Sequence, residues 1–156
     1  QVDTPQVLYD TPCNLFVAGF IGSPQMNFLD ATCKVNGNKV ALEVGGAAIE
    51  LPPAKAKKLI EGGYDGKTVV LGIRPEDVHD EPMFIASSPN TVIESKIRVY
   101  EMLGAEVYLY FDYAGSSMTA RVDPRTTART GDTVKFAFDA EKIHVFDKET
   151  ECTITN

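Results

Sequence analysis

The sequence predicts a small, mainly β protein with antiparallel strands, arranged as a Greek-key barrel or a sandwich. Short segments of alternating apolar and polar residues recur at a spacing of roughly 8–12 residues, with turn signals between them. The pair Asn36-Gly37 lies between two such segments and is a strong hairpin signal. Parallel strands would need crossover helices, and few stretches are suited to them, so the sheets should be mainly antiparallel.

Composition limits the class of protein. The 156 residues suit one compact domain or two small ones, and the net charge of −7 disfavours nucleic acid and anionic membranes as partners. Cys13, Cys33 and Cys152 are odd in number and widely spaced, which indicates neither a disulfide framework nor a zinc site and favours a reducing, cytoplasmic setting. No apolar run approaches the ~20 residues of a membrane span, and no secretory signal opens the sequence.

Two short helices are expected at the start. Thr4-Pro5 predicts a helix over roughly residues 5–9, and Thr11-Pro12 predicts the start of a second helix that Gly22 ends. So short a pair is not stable alone and should pack on the β part or on a preceding domain. Because the sequence begins at Gln1 rather than Met, we interpret it as a piece of a longer protein. The apolar face of the second helix would comprise Phe16, Val17, Phe20 and Ile21.

The chain is organised around a central apolar strand, Val69–Ile73, which leads into Arg74-Pro75-Glu76-Asp77. Pro75 removes a backbone donor and biases Arg74 toward an extended conformation. The strand should therefore deliver one cation and two carboxylates to the surface. The alternative is a local ion pair between Arg74 and Glu76, worth only about 0–1 kcal/mol if exposed.

Periodicity predicts the remaining elements. A helix is expected over Ala54–Glu61, with Leu59 and Ile60 facing inward and three lysines facing outward. After Pro82 the chain should form a loop that ends in Ser87-Ser88-Pro89-Asn90. The next strand should bury one face, comprising Ile93, Ile97 and Val99. The last strand should be the one that contains Ile143, Val145 and Phe146.

Two stretches near the centre could hold a ligand, and each has a plainer interpretation. Gly62–Thr68 resembles a phosphate-binding loop, but its spacing is one residue short and it follows a helix, so a helix end and turn are favoured. His79 lies among carboxylates that could hold a divalent metal, yet their spacing is not that of a calcium loop. A solvated acidic loop is favoured there. The carboxylates are those of Glu76, Asp77, Asp80 and Glu81.

An aromatic group within residues 108–113 also has two interpretations. On a barrel, such side chains can stack nucleic-acid bases, but that chemistry needs a basic groove, and the neighbours here include acidic residues. Packing within the sheet is favoured. The group comprises Tyr108, Tyr110, Phe111 and Tyr113. Neither histidine is linked by sequence to a cysteine nucleophile, and no acid–base pair stands out, so no catalytic site is predicted.

Several collinear motifs resemble a known family. They cover nearly the whole chain and comprise Gln1–Gln6, Phe16–Phe28, Gly72–Val78, Val99–Tyr108, and Ala120–Pro124 through Phe146–Glu151. In order and spacing they are similar to the region that follows the ATPase domain in ATP-binding proteins of sugar-importing ABC transporters of the maltose, multiple-sugar and glycerol-phosphate type. The Walker A and B elements, the signature motif and the switch histidine of that family are absent from this sequence. The resemblance therefore implies the C-terminal regulatory domain alone.

The resemblance also implies the fold and its chemistry. The expected fold is an OB-like (TOBE/MOP-type) barrel of antiparallel strands with short N-terminal helices. Residues 1–22 would be a helical junction to an ATPase domain, and residues 23–156 the regulatory domain. The fragment itself should be no enzyme and hold no cofactor or metal, since ATP and Mg²⁺ would bind only the ATPase domain.

The partners follow from the same resemblance. We expect contacts with its own ATPase domain, a second copy of the subunit, membrane permease subunits and a regulatory protein, at the cytoplasmic face of the membrane. The self-association or regulatory surface would include Arg74, Glu76 and Asp77. The junction with the ATPase domain would involve Phe16, Phe20, Ile21, Met26 and Phe28. An alternative function is the sensing of a small ligand, a sugar or an oxyanion; the transported sugar is not encoded here.

Overall fold

The computed structural model describes residues 2–22 and 24–156. Within these ranges the chain forms eleven strands and four α-helices. The strands are β1 (Asn27–Asn36), β2 (Lys39–Val44), β3 (Ala47–Glu50), β4 (Thr68–Ile73), β5 (Val78–His79), β6 (Val92–Leu103), β7 (Glu106–Tyr113), β8 (Ser116–Val122), β9 (Thr133–Phe138), β10 (His144–Asp147) and β11 (Thr153–Thr155). The helices are α1 (Pro5–Asp10), α2 (Leu15–Phe20), α3 (Pro53–Glu61) and α4 (Pro82–Ser87).

The strands form two antiparallel sheets that pack into a nearly closed barrel, which confirms the predicted fold class. One sheet has the order β11-β10-β4-β1-β2-β3 and the other β5-β9-β6-β7-β8. The apolar faces of both sheets contribute to one main core, in which Leu71, Leu109 and Phe136 have no exposed surface. The central apolar strand of the sequence is β4, and it lies between β1 and β10.

The side chain of Asn27 connects the two sheets by hydrogen bonds. Asn27 at the start of β1 is buried, and its Nδ2 donates to the carbonyl of Thr119 in β8 over 2.8 Å. The backbone N–H of Thr119 donates in return to Asn27 Oδ1, also over 2.8 Å. The amide side chain thus satisfies both backbone groups of Thr119, as a neighbouring strand would.

Strand β6 is the place where the predicted alternation fails. Its first half pairs with β9 and its second half with β7, and the register shifts between Ile97 and Val99. A bulge adds a residue to one strand and reverses which residues face the core. Ile93 and Ile97 are therefore buried, whereas Val99 is 40% exposed, and the predicted common face of these three residues is wrong for Val99.

The helices differ from the sequence prediction in three places. The second helix begins at Leu15 behind an Asn14 cap rather than at Thr11-Pro12, and Thr11 instead ends α1. In α3, the buried face includes Lys55, Ala56 and Leu59, so Ile60 lies at the surface and one lysine points inward. Residues Pro82–Ser87, predicted as loop, form the short helix α4.

A further strand follows the one predicted to be the last. β11 pairs with β10, and its neighbour Cys152 forms an isolated antiparallel bridge with Asn14. Three hydrogen bonds join the segment before α2 to this tail, from Leu15 N to Glu151 O, from Thr153 N to Cys13 O and from Thr153 Oγ1 to Pro12 O. The N-terminal helices are therefore fastened to the barrel by backbone pairing.

Candidate functional site

The side chain of Arg74 lies inside the molecule, at the end of β4. It is only 2% exposed, Nη1 donates to the carbonyl of Ile21 over 2.5 Å, and Nη2 donates to the carbonyl of Tyr9 over 3.1 Å. The guanidinium also lies over the Tyr9 ring, with its carbon 3.9 Å from the ring centroid. Burial lowers the pKa of Arg74 and the nearby Asp77 and Asp10 oppose that shift.

The prediction that Arg74 is presented at the surface is therefore wrong. Pro75 does keep Arg74 extended, but the two N-terminal helices cover its side chain. The ion pairs of the described residues include none between Arg74 and Glu76. Tyr9 was not recognised as a partner because nothing in the sequence links a residue of the first helix to one so far along the chain.

Glu76 and Asp77 follow in a single 3₁₀ turn, Pro75–Asp77, and are half-buried. The carbonyl of Asp77 accepts a hydrogen bond from Asp139 N, which places a third carboxylate beside the turn. Burial and the negative charges of Glu76 and Asp139 raise the pKa of Asp77 to about 6, although Lys142 and His79 oppose the shift.

The predicted acidic group around His79 is only partly assembled. Donor atoms of Asp77, His79 and Asp139 all lie within 4.8 Å of one another. Asp80 instead accepts from the hydroxyl of Thr126. Glu81 lies 3.1 Å from His79 Nδ1. Two carboxylates and an imidazole can bind a divalent cation, but such clusters are common without one, so the donor set alone does not define a metal site.

Two phenylalanines of α2 form an exposed apolar patch. Phe16 and Phe20 are 73% and 71% exposed and stack on each other with ring centroids 5.7 Å apart. The opposite side of the helix, with Val17 and Ala18, is buried against the barrel. The predicted single apolar face of this helix is thus divided between two sides.

The remaining residues predicted for the domain junction lie elsewhere. Met26 is buried and packs with Ala18, Val70 and Phe146 in a small cluster that Phe28 also contacts. Since Met26 is covered within this chain, its prediction as a junction contact is wrong. Phe28 and Ile21 are half-buried.

The stretch Gly62–Thr68 is the predicted helix end and turn. It follows α3 and leads into β4, the reverse of the order in a phosphate-binding loop. Gly66 N donates to the carbonyl of Cys33 and Asp65 Oδ1 accepts from Val35 N, so the turn is bonded to β1. These residues do not fit a nucleotide site.

The aromatic group of β7 is used in packing, as predicted. Phe111 is fully buried and stacks on Phe136 with ring centroids 4.4 Å apart. The hydroxyl of Tyr113 donates to the carbonyl of Val44 in the other sheet. Tyr108 and Tyr110 donate to glutamates on the barrel surface, Glu106 and Glu101.

A cavity of about 690 Å³ adjoins the first turn of α3. Lys55 and Lys58 line it together with Glu141, the segment 11–13 and the tail residues 153–156. Lys55 is buried, with 7% of its surface exposed. The prediction that all three lysines of this helix face outward is therefore wrong for Lys55, and no sequence pattern indicated the cavity.

Models of two protein families match the chain. Residues 22–78 match the MalK OB fold domain and residues 71–146 match the TOBE domain. The first family covers β1 to β4 and the second continues from β4 to β10. The fold and these matches define the class, a paired OB fold and TOBE domain.

Curated relatives of the chain are ATP-binding proteins of import systems. The chain is 44% identical over 99% of its length to the oligosaccharides import ATP-binding protein MsmX of Bacillus subtilis, and 38% identical over 96% to the trehalose/maltose import ATP-binding protein MalK of Thermococcus litoralis. It spans 41% and 40% of those proteins. The chain therefore comprises an OB fold domain of the MalK type followed by a TOBE domain, and over nearly its whole length it is similar to ATP-binding proteins of sugar-import ABC transporters.

A solved structure has a similar fold. The molybdate-bound form of the cytoplasmic molybdate-binding protein ModG superposes with a TM-score of 0.55, covering 78% of this chain and 94% of that one, at 13% identity. At this identity the likeness concerns the fold alone. Within residues 2–22 and 24–156, no helix has the length and apolar character needed to cross a bilayer.

Proposed function

We propose that this domain is the regulatory and self-association domain of the ATPase subunit of an ABC sugar importer. It would support ATP-driven carbohydrate uptake without contributing to the nucleotide site. The family assignment supports the proposal, as does the two-fifths of the relatives' length that the chain spans. An ATPase assay on this chain alone should give no turnover, and clear hydrolysis of ATP would contradict the proposal.

The observation that carries the proposal is the exposed pair Phe16 and Phe20. Two stacked, largely exposed aromatic rings are unfavourable in water, and such patches typically mark contacts with another protein surface. Their helix is held to the barrel by Arg74 and by pairing with the tail, so the patch has a fixed position. An ATPase domain of the same subunit is the occupant we propose.

Self-association gives the domain a mechanical role. Nucleotide domains must separate to release ADP, and a contact elsewhere in the dimer keeps them at high effective concentration for each other. The turn with Glu76 and Asp77 is the region we propose for that contact or for a regulatory protein. Arg74 would support this region from inside, since it joins the turn to both helices. The permease subunits would be reached through the whole subunit, at the cytoplasmic face of the membrane.

Substitution of the aromatic patch tests the junction. In the full-length subunit, Phe16→Ser with Phe20→Ser should lower transport-coupled ATPase activity several-fold and leave the dissociation constant for ATP unchanged. The matched control is Met83→Ser, because Met83 is also largely exposed but lies on α4. Equal activity of the double variant and the control would contradict the junction.

Sedimentation at several concentrations tests self-association. The full-length subunit should show a mass that rises with concentration, and Arg74→Ala should shift this rise to higher concentration without changing ATP affinity. Circular dichroism would establish that the variant is folded. Unchanged dimerisation and unchanged transport in the folded variant would contradict the supporting role of Arg74.

A second candidate function is the sensing of a small ligand. The cavity beside Lys55 favours it, because its volume lies in the range of small-molecule sites. Calorimetry with neutral sugars and with oxyanions tests this function. Absence of heat with every such ligand would contradict it and leave self-association as the sole function.

A further inference from the structure

A cavity of about 760 Å³ lies where α4, the segment 123–128 and the start of β9 meet. Its volume is within the range of small-molecule sites. The apolar part of its lining comprises Pro82 and Ile85 of α4, Ala128, and Val134 of β9. Asp80 lines the same cavity, directly before α4, so a carboxylate and an apolar wall face one space.

The carboxylate of Asp80 is half-buried, and the ion pairs within residues 2–22 and 24–156 include none with it. The hydroxyl of Thr126 donates to Asp80 Oδ2 over 2.5 Å, which uses one of the roughly four acceptor positions of a carboxylate. Burial raises the pKa of Asp80 and the charge of Glu81 adds to the shift, while the Thr126 hydroxyl, a backbone N–H and His79 oppose it. Partial removal of this charge from water without a cation is unfavourable.

Two cations also line the cavity, and each has a carboxylate of its own. Arg125 Nε lies 3.0 Å from Asp123 Oδ1, and Lys135 is directly opposite Glu94 in the register of β9 with β6. Neither cation is among the charges that shift the pKa of Asp80. The end of the cavity at Asp80 therefore favours a positive ligand.

We propose that this cavity binds a small organic ammonium ion, whose charged group donates to the Asp80 carboxylate and whose alkyl chain contacts Ile85 and Val134. Such a ligand makes a charge-assisted hydrogen bond and buries apolar surface at the same time. A neutral sugar leaves the carboxylate without a cation, and an inorganic cation leaves the apolar wall in water. The proposal does not depend on self-association or on the cavity beside Lys55.

NMR titration with n-butylammonium chloride tests the proposal, with sodium chloride at equal ionic strength as the reference. The amide signals of Thr126, Thr133 and Val134 should shift and saturate. n-Butanol, which has the same chain without the charge, should bind at least about tenfold more weakly, because it lacks the charge-assisted hydrogen bond. Absence of saturable shifts, or equal binding of the alcohol, would overturn the proposal.

Asp80→Asn tests the carboxylate, since it keeps the shape and an acceptor for Thr126. This variant should bind n-butylammonium about tenfold more weakly and n-butanol as before. The matched control is Asp30→Asn, because Asp30 is exposed, pairs with Lys148 and lies outside the cavity, and it should bind as wild type does. Equal binding by Asp80→Asn and wild type, or an equal loss in Asp30→Asn, would overturn the assignment of Asp80.

Ile85→Ser tests the apolar wall. The wild-type protein should bind n-butylammonium roughly tenfold more tightly than methylammonium, because three further carbons are partly buried. The variant should lose most of this preference, with circular dichroism establishing that it is folded. An unchanged preference in the variant, or tighter binding of Mg²⁺ than of n-butylammonium by the wild type, would overturn the proposal.

Discussion

The guanidinium of Arg74 lies over the ring of Tyr9, with its carbon 3.9 Å from the ring centroid, and donates a hydrogen bond to the carbonyl of the same residue. A second donor of the same side chain bonds the carbonyl of Ile21, directly after α2. One residue at the end of β4 therefore holds the ends of both N-terminal helices.

Removal of this side chain should loosen the helices. Arg74→Ala should lower the free energy of unfolding by about 2–4 kcal/mol, because two hydrogen bonds from a charged group are lost in a buried setting. Urea unfolding measures this effect, and faster amide exchange in α1 and α2 would locate it. Arg98→Ala is the control, since Arg98 is exposed and its ion pair with Asp112 should contribute only about 0–1 kcal/mol. Equal losses in both variants would contradict the role of Arg74.

The link that Asn27 forms between the sheets depends on both polar atoms of its amide. Asn27→Asp keeps the shape of the side chain but replaces Nδ2, the donor to the Thr119 carbonyl, with an oxygen. The new carboxylate oxygen and the Thr119 carbonyl oxygen are both acceptors and repel each other in a buried setting. We expect a loss of about 2–3 kcal/mol in the free energy of unfolding, the cost of an unsatisfied and repelled buried group. Chemical unfolding measures it, and stability equal to wild type at neutral pH would contradict the assignment.

Gly72 in β4 has no room for a side chain. A Cβ there would lie 2.6 Å from Met26 Sδ and 3.0 Å from an edge atom of Phe146. Gly72→Ala should therefore destabilise the protein by about 1–3 kcal/mol through overpacking. In a Met26→Ala background the cost should be smaller, because the nearest atom is gone. An identical cost in the two backgrounds, measured by a double-mutant cycle, would show that the contact is not the cause.

Asp77 should make stability fall as pH rises through the mildly acidic range. Its pKa is about 6 in the folded protein and 3.8 as the ordinary value, so between these two pH values the folded state retains a proton that the unfolded state has lost. The resulting penalty is absent below about pH 3.8, grows up to about pH 6 and is complete above it. For a half-buried group we expect about 1–3 kcal/mol in total.

Asp77→Asn isolates this effect. The variant should be more stable than wild type at pH 7 and should show a flatter dependence of the free energy of unfolding on pH between 4.5 and 7. Asp123→Asn serves as the control, because Asp123 is bonded to Arg125 and its pKa is lowered rather than raised. A slope in Asp77→Asn as steep as in wild type would assign the pH dependence to another group.

Local patterns predicted most of the barrel, because a strand with one buried face has alternating apolar and polar residues. Met118, Ala120 and Val122 are buried as their spacing indicates. Val99 is the exception, since a bulge reverses the alternation without any marker such as glycine or proline. Helix α4 was not predicted, for a different reason. It has six residues, none of them buried, and a segment this short does not show helical periodicity.

The candidate site was harder to predict than the fold. Arg74 was identified as central, yet its burial depends on Tyr9 and Ile21, which contact it only after the helices have packed on the barrel. The sequence predicts that Lys55 is solvated, because it belongs to a lysine-rich helix. In the fold it lies beside the tail residues 153–156 and Glu141, which are distant from it in sequence. Interactions of this kind join distant segments, and a local window of sequence does not contain them.

The antiparallel bridge between Asn14 and Cys152 affects how the domain would respond to a mechanical force. Tension applied through the helices would act first on the three hydrogen bonds between residues 12–15 and 151–153, and from there on β11 and β10. Since β10 is paired with β4, whose end carries Arg74, the force would converge on one strand from two directions. A displacement of the N-terminal helices would therefore be transmitted to the barrel, because the two are joined by hydrogen bonds rather than by a flexible linker.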